Sequence, residues 1–230
     1  MRRVLLLLAL AVSSAFAATA EARAPDTFEE DYAPPINVES PQRLGFELRI
    51  GPYEPGGGRA FKEAFGDDKG WLLALELDIK LYQIPYVGTL NLGLGWGWSK
   101  YSAKTIDQSG NRTGEENEFI IFPMSPMAVL RIDALARHTV VPLVFAGKLG
   151  VDFVRWKSKT DDNVDDSGLN TGLRWGVQGA LELDFIQPNG ARRLDEDWGV
   201  NHSYLFAEYY GSKTEGTGDK NFVFGVGILF

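Results

Sequence analysis

The sequence predicts an all-β fold, an eight-stranded antiparallel up-and-down transmembrane β-barrel, and three observations predict it. Apolar residues recur with a period of two in eight segments from residue 43 onward, the spacing of one face of a strand. Gly 26, Trp 6, Tyr 8 and Phe 14 suit a glycine-kinked sheet with aromatic rims better than a helical protein. The connections alternate between long polar stretches (52–70, 102–117, 157–170, 211–219) and shorter ones (82–86, 134–140), as in barrels with surface loops at one end and turns at the other.

Residues 1–20 read as a signal peptide. Arg2 and Arg3 precede the apolar run Val4 to Val12, and small residues follow, so cleavage is expected after Ala17 or after Ala20. The run is far shorter than the roughly 20 residues that a spanning helix needs, which makes an uncleaved anchor the weaker alternative. The absence of cysteine excludes a lipoprotein and a disulfide framework, so stability rests on packing and backbone pairing. Residues 21–42, rich in proline and acids and without periodicity, read as a flexible periplasmic tail ahead of the barrel at 43–230. The net charge of −8 argues against a nucleic-acid partner.

The first strand sets Leu44, Phe46, Leu48 and Ile50 against Gly45, Glu47 and Arg49, and the second sets Trp71, Leu73, Leu75, Leu77, Ile79 and Leu81 against Leu72, Ala74, Glu76, Asp78 and Lys80. In the third, Leu90, Leu92, Leu94, Trp96 and Trp98 alternate with Asn91 and glycines. The fourth carries Ile120, Phe122, Met124, Pro126, Ala128, Leu130 and Ile132 opposite Ser125, Arg131 and Asp133; Pro123 and Pro126 forfeit ladder donors, so a bulge or bend is expected there. The fifth places Leu143, Phe145, Leu149, Val151 and Phe153 opposite Ala146, Lys148, Gly150 and Asp152. The sixth sets Leu173, Trp175, Val177, Leu181, Leu183 and Phe185 against Arg174, Gln178, Glu182 and Asp184. A long connection at 187–199 follows, where Asn189-Gly190 signals a turn and Ala191 to Asp197 suit a short helical cap. The seventh strand opposes Leu205, Ala207 and Tyr209 to Tyr204, Phe206, Glu208 and Tyr210. The eighth ends the chain with Phe222, Phe224, Val226, Ile228 and Phe230 on one face.

Alternation also fits a soluble lipocalin-like barrel with its apolar face hidden. Residue size decides between the two: eight strands enclose a lumen just wide enough for side chains, and rows of Leu, Phe and Trp would overfill it. The apolar face is therefore expected outside, with Trp71, Trp96, Trp98, Tyr101, Trp156 and Trp175 as an interfacial aromatic girdle.

Four stretches, Glu47 to Pro55, Phe122 to Asp133, Val141 to Gly150 and above all Leu194 to Tyr210 (LDEDWGVNHSYLFAEYY), carry a resemblance. Over residues 43–230 the chain resembles a family of small outer-membrane β-barrel proteins of Gram-negative bacteria with OmpA/OmpX/OmpW-like, eight-stranded architecture. The resemblance implies an integral outer-membrane protein and implies no activity.

The expected chemistry lies in the lumen, in a polar network of Glu47, Arg49, Glu76, Asp78, Lys80, Arg131, Asp133, Lys148, Asp152, Arg174, Glu182, Asp184 and Glu208. These are eight acids against five bases, so a conducting path would favour cations. The network reads as a salt-bridged plug, which gives the protein a structural or surface-loop role that is adhesive or envelope-stabilising; a narrow channel or small-solute carrier is the alternative. An outer-membrane enzyme is the third reading, and its catalytic set is expected to be empty: His138 and His202 both fall at the turn end, with no Gly-x-Ser-x-Gly and no metal-binding His pair. His202 is expected instead to hydrogen-bond the Leu194 to Trp198 segment and hold the long turn against the barrel mouth. The acidic stretch Lys159 to Gly168 lacks the glycine and glutamate of a calcium loop and reads as solvated charge, with divalent ions bridging to lipopolysaccharide phosphates. No cofactor is expected. The expected partners are outer-membrane lipid, lipopolysaccharide and, through the last strand, the barrel-assembly machinery, around a monomer.

Overall fold

Because eight segments each carry one apolar face and one small or polar face, they satisfy both faces at once by closing on themselves. The computed structural model describes residues 42–56, 70–106, 112–160, 163–218 and 220–230, less the side chains of 105–106, 112–116 and 164–165. The expected signal peptide with both cleavage sites, the tail as far as residue 41, and most of the connection at 52–70 lie outside the described residues. The strands are β1 (Leu44–Tyr53), β2 (Gly70–Ile84), β3 (Gly88–Ile106), β4 (Arg112–Ile132), β5 (Leu143–Thr160), β6 (Asn163–Glu182), β7 (His202–Ser212) and β8 (Lys220–Leu229). Each pairs antiparallel with its neighbour in sequence, and β8 pairs with β1 to close the barrel. The seam is finished by the last residue: Leu44 N–H donates to the Phe230 carbonyl at 3.0 Å and Phe230 N–H donates to the Leu44 carbonyl at 2.8 Å.

The barrel is inverted relative to a soluble one. Glu47, Arg49, Glu76, Lys148 and Glu208 are buried inside, while Leu44, Leu77, Ile79, Leu92, Leu149, Val177 and Phe224 are exposed on the outside. The expected facing of all eight strands therefore holds.

Several details differ from expectation. The connections expected at 102–117 and 157–170 are largely strand, since β3 runs to Ile106, β4 starts at Arg112, β5 runs to Thr160 and β6 starts at Asn163. Beyond the apolar band both faces of these strands are polar, so the ladder continues with no alternation to announce it. No register shift marks the prolines of β4: Trp96 pairs with Met124 and Ser99 with Ile121 at the same offset, and the ladder lapses at Pro123 without slipping. The shifts fall instead at Lys80/Tyr82, Lys104/Ile106 and Ser158/Lys159. Tyr101 and Trp156 leave the girdle. Both have the parity of the inner face, Tyr101 being buried with its hydroxyl donating to the Tyr53 carbonyl at 2.5 Å and Trp156 packing on Phe119.

Among the described residues two helices sit at the turn end. The connection expected as a plain turn at 134–140 contains α1 (Ala134–His138), and the expected helical cap is α2 (Pro188–Trp198), longer than Ala191 to Asp197. Pro188 begins α2, where its missing N–H costs nothing, and Gly199 ends it in the left-handed region at φ 69°. Asn201 N–H then donates to the Leu229 carbonyl at 2.7 Å, which ties the chain after α2 to β8.

A buried charge network as the candidate functional site

The period of two puts Glu47 and Arg49 on the inner face of β1, two residues apart, where the Arg49 guanidinium reaches Glu47 Oε2 at 2.5 Å. The same group reaches Glu76 Oε2 on β2 at 2.5 Å and Glu208 Oε2 on β7 at 3.1 Å. Lys148 enters from β5, the strand farthest from β1 in a ring of eight, and meets the same three carboxylates: Glu76 Oε1 at 2.7 Å, Glu47 Oε2 at 3.1 Å and Glu208 Oε2 at 3.1 Å. The second oxygen of Glu47 accepts from Gln178 Nε2 at 2.8 Å and from the Tyr204 hydroxyl at 2.9 Å. Four strands are thereby stitched across the lumen by ion pairs, and β6 by a hydrogen bond.

Two flanking arginines extend the knot along the axis. On the turn side Arg131 donates to the Tyr204 hydroxyl at 2.8 Å, lies over its ring at 4.7 Å, and stands 3.9 Å from Asp78. On the loop side Arg174 stands 3.6 Å from Asp152, whose other partner is the Ser125 hydroxyl, and lies over the Tyr210 ring at 4.1 Å. Isolated charges buried this deeply would carry a desolvation penalty of several kcal/mol each, so the proximity of opposite charges is what makes the layer tolerable. Neither Asp78 nor Glu208 accepts a hydrogen bond from the described residues, but Glu208 has three cations within 3.8 Å whereas Asp78 faces Arg131 alone among them, at 3.9 Å, which makes Asp78 the least satisfied member.

The remaining predicted residues do not join this knot. Lys80 is half-buried and donates to Gln83 at 3.2 Å. Asp133 and Glu182 gather at the turn end around Arg137 of α1, at 3.7 and 2.8 Å. Asp184 pairs with His202, Nδ1 to Oδ2 at 2.5 Å, across the start of β7. Trp198 ends α2 with 76% of its surface exposed. His138 stacks against Tyr86 at 5.8 Å. Sequence reasoning missed Arg137, which arrives from a helix in a stretch expected as a turn, and Gln178 and Tyr204, whose inward parity was legible but whose role was not.

The central layer is therefore nearly balanced. Carboxylates of Glu47, Glu76, Asp78, Asp152 and Glu208 face the cations of Arg49, Arg131, Lys148 and Arg174. The ligand atoms of Glu47, Glu76 and Asp78, and those of Glu182, Asp184 and His202, lie within 4.8 Å of one another, the spacing of metal ligands. In the first group Arg49 and Lys148 already contact Glu47 and Glu76, and in the second Arg137 contacts Glu182.

Apolar side chains bracket the charges. Toward the loops Tyr53, Leu72, Tyr101, Ile121, Val154, Tyr210 and Val223 form one buried cluster. Toward the turns Val144, Ala180, Tyr204, Phe206 and Leu229 form another, with Ala136 of α1 against it. The lumen accepts these aromatics because β8 faces them with glycine: Tyr204 pairs with Gly227 and Phe206 with Gly225. Glycine rows on one strand thus make room for rings on the next.

No family model and no curated protein matches the chain. Solved structures similar to it include the attachment invasion locus protein Ail of Yersinia pestis, at 12% identity over 82% of this chain and 97% of that one with a TM-score of 0.47. The N-terminal β-barrel domain of Pseudomonas aeruginosa OprF is similar at 13% identity over 83% and 100%, TM-score 0.47. Neisserial surface protein A is similar at 10% identity over 82% and 97%, TM-score 0.46.

Proposed function

We propose that the chain is an integral outer-membrane β-barrel with a closed lumen, whose work is structural or adhesive and is carried at its loop end. The observation that carries this reading is the sequence of layers along the lumen, apolar then charged then apolar, inside a wall whose outer face is apolar. Such a wall suits lipid: an Arg or Lys at the bilayer midplane would cost about 2–4 kcal/mol, and the outer positions of the band carry neither. A closed ring leaves no strand edge to pair with another chain, in keeping with a monomer. Strand β8, with Phe230 directly after it, is the segment offered to the barrel-assembly machinery.

The short connections and both strand termini define the periplasmic end, and the β3–β4 and β5–β6 hairpins face outward from the cell. The chain has no cysteine, which gives a clean background for labelling. A Glu215→Cys variant is expected to react with a membrane-impermeant maleimide in intact cells, and an Asn189→Cys variant on α2 only after the outer membrane is permeabilised. The reverse pattern, or a protein that fractionates away from the outer membrane, would refute the reading.

A further inference from the structure

Strands β3, β4, β5 and β6 continue past the point at which β1 and β7 stop, and in this raised wall the outer face of β5 is basic. Along β5 the outward residues change from Val151 and Phe153 to Arg155, Lys157 and Lys159, a cation at every outward position to the end of the strand. On β3 the change is from Trp98 to Lys100. Cα pairing places Arg155 beside Phe122 and sets Lys157 and Lys100 on either side of Ile120, so β5 turns from apolar to basic one outward position before β3. Lys100 is paired with Glu118, but Arg155, Lys157 and Lys159 have no ion pair among the described residues. Acids stand beside the far end of the row, since Cα pairing sets Glu118 of β4 next to Lys159 and Asp166 of β6 next to Ser158.

We propose that this stripe, Arg155, Lys157 and Lys159 with Lys100 beside them, binds the phosphate groups of outer-leaflet glycolipid. The inference rests on the outer-membrane reading and names the face of the barrel on which lipid is held. The argument is one of position and charge. Lysine and arginine immediately above an apolar band stand at the level of lipid headgroups, and successive outward positions on a strand are about 6.7 Å apart, close enough for neighbouring side chains to converge on one phosphate. Phosphate is favoured over neutral sugar because guanidinium and ammonium groups are donors with no acceptor to offer. The row is also unneeded by the fold, because none of its members is buried or bonded to another strand's side chain among the described residues.

The test uses the full mature chain refolded into nanodiscs that contain either a bisphosphorylated lipid A or the same lipid stripped of phosphate, with retained lipid counted by native mass spectrometry. Wild type is expected to retain the phosphorylated lipid selectively, and the triple variant Arg155→Gln, Lys157→Gln, Lys159→Gln to lose retention by roughly 100-fold while a Lys213→Gln variant does not. Equal retention of both lipids by wild type, or undiminished retention by the triple variant, overturns the proposal. So does a stripe that captures a soluble sulfated glycan in detergent while showing no preference among lipids. Heat-modifiable migration of each preparation reports the folded barrel separately, so loss of the membrane reading and loss of the lipid site give different results.

Discussion

Lys148 on β5 and Glu76 on β2 meet across the lumen, ammonium to carboxylate at 2.7 Å, and both are fully enclosed. The pair spans the barrel rather than neighbouring strands, so it reports on whether the ring is closed and in register. Replacing Lys148 by Met removes the only ammonium that touches Glu47, Glu76 and Glu208 together among the described residues. Breaking a buried pair from one side is expected to cost about 3–5 kcal/mol, read from urea unfolding of the refolded barrel in vesicles. Adding Glu76→Gln is expected to return part of that loss; a double variant no better than the single one would show that the cost lies in packing and not in charge.

Tyr204 can occupy the lumen because Gly227 stands opposite it. A Cβ at residue 227 would come within 2.5 Å of the Tyr204 ring, whose hydroxyl is fixed by Glu47 and Arg131. Gly227→Ala is therefore expected to destabilise by about 1–3 kcal/mol, with partial rescue by Tyr204→Leu in a double-mutant cycle.

The facing of every strand was legible because an apolar outer face and charges inside produce the sharpest period-two contrast a sequence can carry. Where that contrast ends, legibility ends. The extensions of β3 to β6 have two polar faces, so Lys157 and Lys159 read as loop, and Tyr101 and Trp156 were placed by their nearness to loops when their parity already pointed inward. The apolar layers were obscured for another reason: Ile121 and Val154 are inward residues of strands whose outward residues are also apolar, so neither breaks the pattern. Pairing within the lumen depends on how far each strand is sheared past the next, which no single strand encodes, and Arg137 comes from outside the strands altogether.

Gly199 ends α2 at φ 69°, with its N–H donating to Asp195 at 2.9 Å. A side chain in this region is disfavoured by roughly 1–2 kcal/mol, least for Asn. Gly199→Ala is expected to raise the rate at which protease cleaves α2 in the folded barrel about tenfold, and Gly199→Asn to raise it less.

Because two kinds of layer close the lumen, neither alone is expected to open it. An Ile121→Ala, Tyr210→Ala variant removes bulk from the loop-side layer and leaves the charged knot, and a Lys148→Ala variant does the converse. Each is expected to stay silent in a planar bilayer, and the combined triple variant to leak, with cations preferred because Glu47, Glu76 and Glu208 would then outnumber Arg49.

The most direct measurement is single-channel recording of the refolded, signal-free wild type in a planar bilayer. A closed lumen gives no resolvable steps across the range of voltages the membrane tolerates, while the combined variant conducts in the same preparation. Discrete, cation-selective openings in wild type would contradict the account and make the charged layer the filter of a channel.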